Sequence, residues 1–307
     1  MNQSDPKPTV FIHTNAKQMV GAIVAEHSFR KTSLHNEKFD VKFICLEDFP
    51  ALHNRHGKLY LREGKKVQWN NNDLQSFTPL RFLPPLLMGY RGKATVVDPD
   101  VFALKDIFSL LNRSMEGKAV MSRKIIPKDG RPAYFATSVM LLDCEKLSHW
   151  KWEEAIEDMF SFKRDYRDWM SLYLEPEEAT GILEDKWNHY DLLNEDTCLL
   201  HNTGRLTQPW KTSLPIDFTP KIPPKQMQPK WGLIPRPWIE RARSFVHGRP
   251  YAPNGFYREH PDPNQIRFFF TLLKECIDNK RITESFLQQE IKRGHVRSDA
   301  LKILESI

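Results

Sequence analysis

Two aspartates that follow a short apolar run are the residues of this sequence best placed to do chemistry. The run extends from Ala94 to Val97, and Asp98, Pro99 and Asp100 follow it directly. A Val-rich run of this kind predicts a buried parallel strand, and Pro99 prevents that strand from continuing inside a sheet. Side chains two residues apart in an extended segment point the same way, so the two carboxylates can converge on one divalent cation.

The position of this aspartate pair also favours a ligand site. Open α/β sheets bind their ligands at the carboxyl ends of their strands, where Asp98 and Asp100 are expected to lie. The same segment could instead be only a turn that caps the next helix, because Asp and Pro both favour turns. A pattern this short leaves both interpretations open.

Strand and helix signals alternate through the first two thirds of the chain. β-branched and apolar runs predict strands, whereas apolar residues at helical spacing predict helices. The predicted strands cover residues 9–14, 41–46, 94–97, 118–122, 134–142 and 197–200. The predicted helices cover residues 19–29, 78–88, 104–111, 152–160 and 166–174. This alternation predicts an α/β fold with a mostly parallel sheet flanked by helices.

The composition changes after Leu214. Eleven of the 22 prolines fall between Pro215 and Pro263, so this stretch is predicted to wrap over the core as an extended arm. Further helices are predicted over residues 266–277 and 283–291, with a short one at the end. We therefore expect a first domain of residues 1–214 and an extension of residues 215–307.

The composition as a whole is that of a globular protein. Hydrophobic residues make up 40% of the chain and charged residues 27%, which are ordinary values. The four cysteines lie far apart without metal-type spacing, which predicts reduced thiols. The first residues are polar and no apolar run approaches the ~20 residues of a spanning helix, so we expect neither signal peptide nor transmembrane segment, and a cytoplasmic location.

The net charge of +6 lies entirely in the last third of the chain. Residues 215–307 contain 16 Lys and Arg against 10 Asp and Glu. Such an excess suits an anionic acceptor, peripheral contact with a membrane surface, or simply a solvated face. No RNP-type aromatics, zinc spacing or basic heptads occur, so no nucleic-acid partner is expected.

Three segments of this βα pattern carry short motifs, in a fixed order along the chain. They are Phe11–Asn15, then Phe77 to Asp100, and then His201 to Lys211, which includes Gly204 and Pro209-Trp210. Together they resemble sugar-nucleotide glycosyltransferases, and more narrowly glycosyltransferase family 8 and its bacterial relatives. The resemblance covers residues 9–214 and leaves the C-terminal third unmatched.

The resemblance implies a GT-A (Rossmann-like) fold and the metal-dependent transfer of a hexose from a nucleotide-diphosphate sugar, with UDP-hexose the expected donor. It implies retention at the anomeric carbon and an acceptor that the sequence does not identify, such as a glycan. It assigns Mn²⁺ or Mg²⁺ to Asp98, Asp100 and His201. It assigns donor contacts to Thr14, Asn15, Arg81, Asp98, Gly204 and Lys211. Catalytic roles fall on Asp98, Asp100, Lys211 and Glu177.

Each of these assignments has a simpler alternative. His201 could be structural, Lys211 an exposed surface residue, and Arg81 the partner of a surface acid. Asn15 could simply cap a helix, and Glu177 could complement a helix dipole. The chain also departs from the family pattern, because Ala136-Thr137-Ser138 stands where relatives often carry Asn-Ser-Gly.

Other function classes fit less well. A haloacid-dehalogenase-type phosphatase requires Thr or Val two places after the second Asp, where this chain has Phe102. A dinucleotide-binding dehydrogenase is disfavoured because no Gly-x-Gly-x-x-Gly follows the first strand. The remaining alternatives are a GT-A-fold protein that binds sugar nucleotides without turnover and a sugar-phosphate nucleotidyltransferase.

Overall fold

The structure, a computed structural model, describes residues 6–204, 206–218, 252 and 254–307. The chain divides into two compact units, the first of residues 1–71 and 76–203, the second of residues 72–75 and 204–307. Most of the predicted Pro-rich arm falls outside the described residues. The predicted domain boundary at residue 214 remains a prediction.

The first unit contains all the strands found in the described part of the chain. They are β1 (Thr9–Thr14), β2 (Asp40–Cys45), β3 (Leu59–Arg62), β4 (Lys65–Gln68), β5 (Lys93–Val97), β6 (Val101–Ala103), β7 (Val120–Ile125), β8 (Tyr134–Asp143), β9 (Thr180–Ile182), β10 (His189–Tyr190) and β11 (Leu199–His201).

The main sheet has six strands in the order β2-β1-β5-β8-β7-β9. Strand β1 is parallel to both β2 and β5, and β7 is parallel to β9. Strand β8 alone runs against its neighbours β5 and β7. Five of the six strands therefore point the same way, which confirms the predicted α/β fold with a mostly parallel sheet.

Two smaller sheets complete the first unit. Strands β3 and β4 form an antiparallel hairpin. In the order β10-β11-β6, β11 is parallel to β10 and antiparallel to β6. This three-stranded sheet matters for the site, because it pairs β11 with β6, and β6 directly follows the turn after β5.

The helices of the first unit flank these sheets, and those of the second unit lie near the end of the chain. In the first unit they are α1 (Met19–Thr32), α2 (Pro50–His53), α3 (Pro84–Leu87), α4 (Phe108–Leu111), α5 (Trp152–Phe160) and α6 (Tyr166–Met170). In the second unit they are α7 (Pro263–Asp278), α8 (Glu284–Lys292) and α9 (Ala300–Ser306).

Several predicted helices are shorter or differently wound than expected. The segment expected as one helix over residues 78–88 is a 3₁₀ turn at Thr78–Phe82 followed by α3. Proline lacks an N–H, so Pro84 and Pro85 can begin a helix but cannot continue the preceding turn. The helix predicted over residues 166–174 ends at Met170, and Leu172 has a left-handed φ of 57°, which no helix residue adopts.

The core of the first unit lies around the central strands. All six residues of β1 are buried, as are seven consecutive residues of β8, which is expected of strands covered on both faces. An aromatic layer packs beside the sheet: the Phe82 ring lies 4.9 Å from that of Trp150 and 4.7 Å from that of Trp169. Phe82 thus anchors in the core the turn that carries Arg81.

The second unit has its own buried contacts. The ring of Trp210, which is fully buried, stacks on Phe269 of α7 with a centroid distance of 4.6 Å. Asp217 accepts from Lys211 Nζ at 3.2 Å and from the Tyr257 hydroxyl at 2.7 Å. Trp210 is therefore a packing residue of this unit.

The described residues also give the state of the cysteines and the character of the helices. All four cysteines are free thiols, with Cys144, Cys198 and Cys276 buried and Cys45 half-buried. Among the residues that the structure describes, no helix is both long and apolar enough to span a bilayer.

Replacing Leu142 by Ala tests the importance of this core. Leu142 lies in β8 and is fully buried, so truncation should lower the free energy of unfolding by about 2–5 kcal/mol. Urea denaturation measures the change. Leu192→Ala removes the same atoms from a side chain that is 47% exposed and should stay within about 0.5 kcal/mol of wild type. Equal losses in both variants would contradict the assigned core.

Candidate metal centre

The segment after β5 forms a turn and also brings two carboxylates together. Asp98 N–H donates to the Ser138 carbonyl of β8 at 2.9 Å, and Val101 N–H donates back to the Asp98 carbonyl at 3.3 Å. Pro99 stands inside this turn, and the chain leaves it as β6, a strand of a different sheet. The predicted turn is therefore present, but the next element is a strand and not a helix, and the metal site stays a prediction.

His201 reaches the same place through the pairing of β6 with β11. In that antiparallel register His201 stands opposite Val101, and the N–H of Asn202 donates to the Asp100 carbonyl at 3.0 Å. As a result His201 Nε2 lies 3.3 Å from Asp100 Oδ1. Two stretches about a hundred residues apart in sequence are thereby joined at one point.

Asp98, Asp100 and His201 form a cluster that could hold a metal ion. Each offers one ligand atom, these atoms lie within 4.8 Å of one another, and all three residues are buried. Ligands at roughly 2.0–2.2 Å from an octahedral ion stand about 3 Å apart when adjacent, close to the separation of His201 Nε2 and Asp100 Oδ1. Two carboxylates with one imidazole suit Mn²⁺, and Mg²⁺ less well. The residues therefore fit the ion that the sequence resemblance implies.

The electrostatics of His201 show why this point favours a cation. Burial by itself lowers the pKa of His201, but the nearby Asp100 and Asp98 carboxylates raise it more, and the net pKa is raised. A positive charge is thus stabilised here despite the loss of solvent. The same negative potential would stabilise a divalent ion.

Asp98 is held by two further side chains. Arg81 donates from Nε to Oδ1 at 2.9 Å and from Nη2 to Oδ2 at 2.5 Å. The Nε2 atom of His13 lies 2.8 Å from Oδ1. Burial alone would raise the pKa of Asp98, but Arg81 and His13 outweigh it and hold that pKa well below its ordinary value of 3.8. Asp98 is therefore ionised and fixed in one orientation.

Arg81 is oriented from its other side as well. Its Nη1 donates to the Thr137 hydroxyl at 3.1 Å, and that hydroxyl donates to the Met170 carbonyl at 2.9 Å. The acid that pairs with Arg81 is therefore buried at the site and not on the surface. Thr137 belongs to the segment Ala136-Thr137-Ser138, so this segment supplies a contact to Arg81.

Two residues of this site were not assigned a role from the sequence. His13 is the last residue but one of β1, and its Nδ1 is buried with no hydrogen-bond partner among the described residues. Asn188 is fully buried, and its Oδ1 lies 2.9 Å from His201 Nδ1. A polar side chain at the end of a buried strand was the available signal for His13. Asn188 gave no such signal, because its role depends on the pairing of β10 with β11.

Thr14 and Asn15 lie at the carboxyl end of β1, which neighbours β5 in the sheet. Asn15 Oδ1 accepts from the Lys17 N–H at 3.1 Å and so caps a 3₁₀ turn. Its Nδ2 donates to the Ser76 hydroxyl at 3.1 Å. Asn15 therefore has the capping role that the sequence left open, at the sheet edge where the metal cluster lies.

The remaining predicted site residues are Gly204, Lys211 and Glu177. Gly204 and Lys211 belong to the second unit, where Lys211 is buried and paired with Asp217. Glu177 is exposed and precedes β9. Strand β9 runs in the same direction as β5, so Glu177 lies at the amino edge of the sheet, whereas Asp98 follows the carboxyl end of β5. Their assigned roles remain predictions.

The known structures that this chain resembles share little of its sequence. No protein-family model and no curated protein matches the chain. The glycosyltransferase GlyE of Streptococcus pneumoniae TIGR4 aligns with 67% of this chain at 16% identity and a TM-score of 0.47. The galactosyltransferase LgtC, solved with donor and acceptor sugar analogues, aligns with 66% at 12% identity and a TM-score of 0.47. Mouse xyloside xylosyltransferase 1 aligns with 64% at 14% identity and a TM-score of 0.40.

The coverage of these proteins differs. This chain spans 56% of the length of GlyE, 89% of that of LgtC and 97% of that of the mouse enzyme. Similarity at these identities and TM-scores does not assign the chain to a family.

The contacts of Arg81 and His13 with Asp98 predict that the free energy of unfolding depends on pH. Because the folded pKa of Asp98 is depressed, its ionised form stabilises the fold above the unfolded pKa of about 3.9, and this stabilisation is lost as the pH falls below that value. The difference in unfolding free energy between wild type and Asp98→Asn should therefore shrink by about 1 kcal/mol between pH 6 and pH 3. Urea denaturation at both pH values measures it. A difference that does not change with pH would contradict the assigned ion pair.

Proposed function

We propose that this chain is a metal-dependent glycosyltransferase that moves a hexose from a nucleotide-diphosphate sugar, UDP-hexose in the simplest case, to an acceptor. The observation that carries the proposal is the buried cluster of Asp98, Asp100 and His201 at the carboxyl edge of a mostly parallel sheet. The order of motifs that resembles glycosyltransferase family 8 supports the same reaction.

The chemistry of sugar transfer explains why such a cluster is useful. Breaking the bond between the anomeric carbon and the diphosphate leaves negative charge on the departing diphosphate. A divalent ion held by Asp98, Asp100 and His201 would supply Lewis-acid stabilisation of that charge. Electrostatic stabilisation of this kind is strongest where water is excluded, and all three residues are buried.

Arg81 and His13 would prepare the site for this ion. Together they keep Asp98 ionised and fix its carboxylate, so that little reorganisation is needed when a ligand binds. The Arg81 guanidinium is a fixed positive charge that can also face the donor phosphates, since it presents five N–H donors in a rigid fork. Thr14 and Asn15, at the end of the neighbouring strand, would lie near the nucleoside.

The remaining roles in the proposal rest on the sequence resemblance. Lys211 and Gly204 would contact the diphosphate. Residues 1–214 would form the catalytic domain, and residues 215–307 would contribute an acceptor-side or homodimer contact. The protein would act in the cytoplasm.

The first test is metal-dependent release of UDP. Wild-type protein incubated with a panel of UDP-sugars should release UDP with Mn²⁺ and not with EDTA. Asp100→Asn keeps the size of the side chain but removes its charge, and should reduce the rate at least about a hundredfold. Asp196→Asn, which changes an exposed aspartate of the same unit, should leave the rate unchanged.

The products also separate the competing functions. A sugar-phosphate nucleotidyltransferase would release pyrophosphate from a nucleoside triphosphate, not UDP from a UDP-sugar. A binding protein without turnover would show Mn²⁺-dependent thermal stabilisation by UDP-sugars, as mass action requires, but no release of UDP. Either result would overturn the proposed transfer.

The stereochemistry of transfer is a separate prediction. With a UDP-α-hexose donor, the earliest product should carry an α linkage, because the departing phosphate oxygen can act as the base on the same face of the sugar. Proton NMR of the anomeric signal during the first turnovers distinguishes the two anomers. A β-linked early product would reject retention and leave the metal requirement standing.

A further inference from the structure

Asn188 lies directly behind the imidazole of His201. It ends a 3₁₀ turn, Asp185–Asn188, that leads into β10, and β10 pairs in parallel with β11 so that Tyr190 stands beside His201. The Asn188 side chain is fully buried, and its Oδ1 lies 2.9 Å from His201 Nδ1. The amide is therefore placed on the side of the ring opposite to the carboxylates.

This contact determines which ring nitrogen can bind an ion. An amide oxygen only accepts hydrogen bonds, so Nδ1 of His201 must carry a proton to make this bond. When the imidazole is neutral, its lone pair is then on Nε2, the atom that lies 3.3 Å from Asp100 Oδ1. A ligating histidine is commonly oriented in this way by the partner of its other nitrogen.

Asn188 is itself held from several directions. Its Nδ2 donates to the Ser138 hydroxyl at 3.0 Å, which directs its oxygen toward His201. Its backbone carbonyl accepts from Arg123 Nη1 at 2.6 Å. The Arg123 guanidinium also lies 4.6 Å from the centre of the Tyr190 ring, and that ring makes an edge contact with His201 at 5.3 Å. The orientation of the amide is thus built into the packing.

We propose that Asn188 is a positioning residue of the metal centre, which selects the Nδ1–H tautomer of His201 and aims Nε2 at the ion. The inference rests on the proposed metal-dependent function and adds a residue to it. Without the amide, a buried Nδ1–H loses its acceptor, which is costly, and the ring is free to exchange tautomers or rotate away from Asp100.

Mn²⁺ binding to the full chain tests the role without any substrate. The signal of free Mn²⁺ in electron paramagnetic resonance gives the dissociation constant for each variant. Asn188→Ala should bind Mn²⁺ about 10–100-fold more weakly than wild type. Asn188→Asp keeps an acceptor oxygen of the same reach and should restore binding to within about threefold of wild type or tighter.

A matched control separates positioning from general destabilisation. The hydroxyl of Thr197 lies 2.9 Å from Nδ1 of His189, a second buried histidine pair of the same small sheet. Thr197→Val removes that contact and should leave Mn²⁺ affinity unchanged. Should Asn188→Ala fail to fold, Ser138→Ala, which releases the Asn188 amide, should still weaken binding at least about threefold.

Nitrogen-15 NMR of labelled histidine reads the tautomer directly in the Mg²⁺-saturated protein. His201, assigned by its loss in His201→Gln, should show the Nδ1–H pattern in wild type and lose it in Asn188→Ala. Wild-type protein that does not bind Mn²⁺ would overturn both the proposed function and this inference. Wild-type and Asn188→Ala proteins that bind Mn²⁺ equally, with the same tautomer, would overturn the inference alone.

Discussion

A buried carboxylate held from two sides organises this site. Removing Asp98 from water is unfavourable unless its charge is compensated. Arg81 supplies the compensating charge through bonds to both oxygens, and His13, whose pKa burial lowers, adds a close polar contact to Oδ1. Arg81 is in turn fixed by Thr137 and by the core packing of its neighbour Phe82. The turn at Thr78–Phe82 therefore links the hydrophobic core to the electrostatics of the metal cluster.

Asp100 has a different near neighbour. It lies beside His201, whose raised pKa reports a negative potential. Two aspartates two residues apart thus have different surroundings: Asp98 is paired with Arg81 and held in one orientation, whereas Asp100 and His201 face each other at the spacing of ligands on one ion. The small sheet of β6, β10 and β11 creates this asymmetry.

The strands that carry the site were predictable because their signals are local. β1, β2, β5 and β8 are short runs of β-branched and apolar residues, and each lies within one or two residues of its predicted span. The hairpin of β3 and β4 was not predicted, since the exposed Lys65–Gln68 has no buried face. Strand β6 was missed because Pro99 indicates the end of a strand, and Val101–Ala103 follows it after one residue.

From its sequence alone this protein reveals an α/β chain with two aspartates at a strand end, an arginine before them and a histidine after them. Those features follow from residue type and short-range periodicity. Only the tertiary structure decided that Arg81 and His13 belong to Asp98, that His201 belongs to Asp100, and that Asn188 stands behind His201. These pairings depend on strand register between distant segments. The pattern of one strand fixes which face is buried, but it does not say which distant strand will lie beside it.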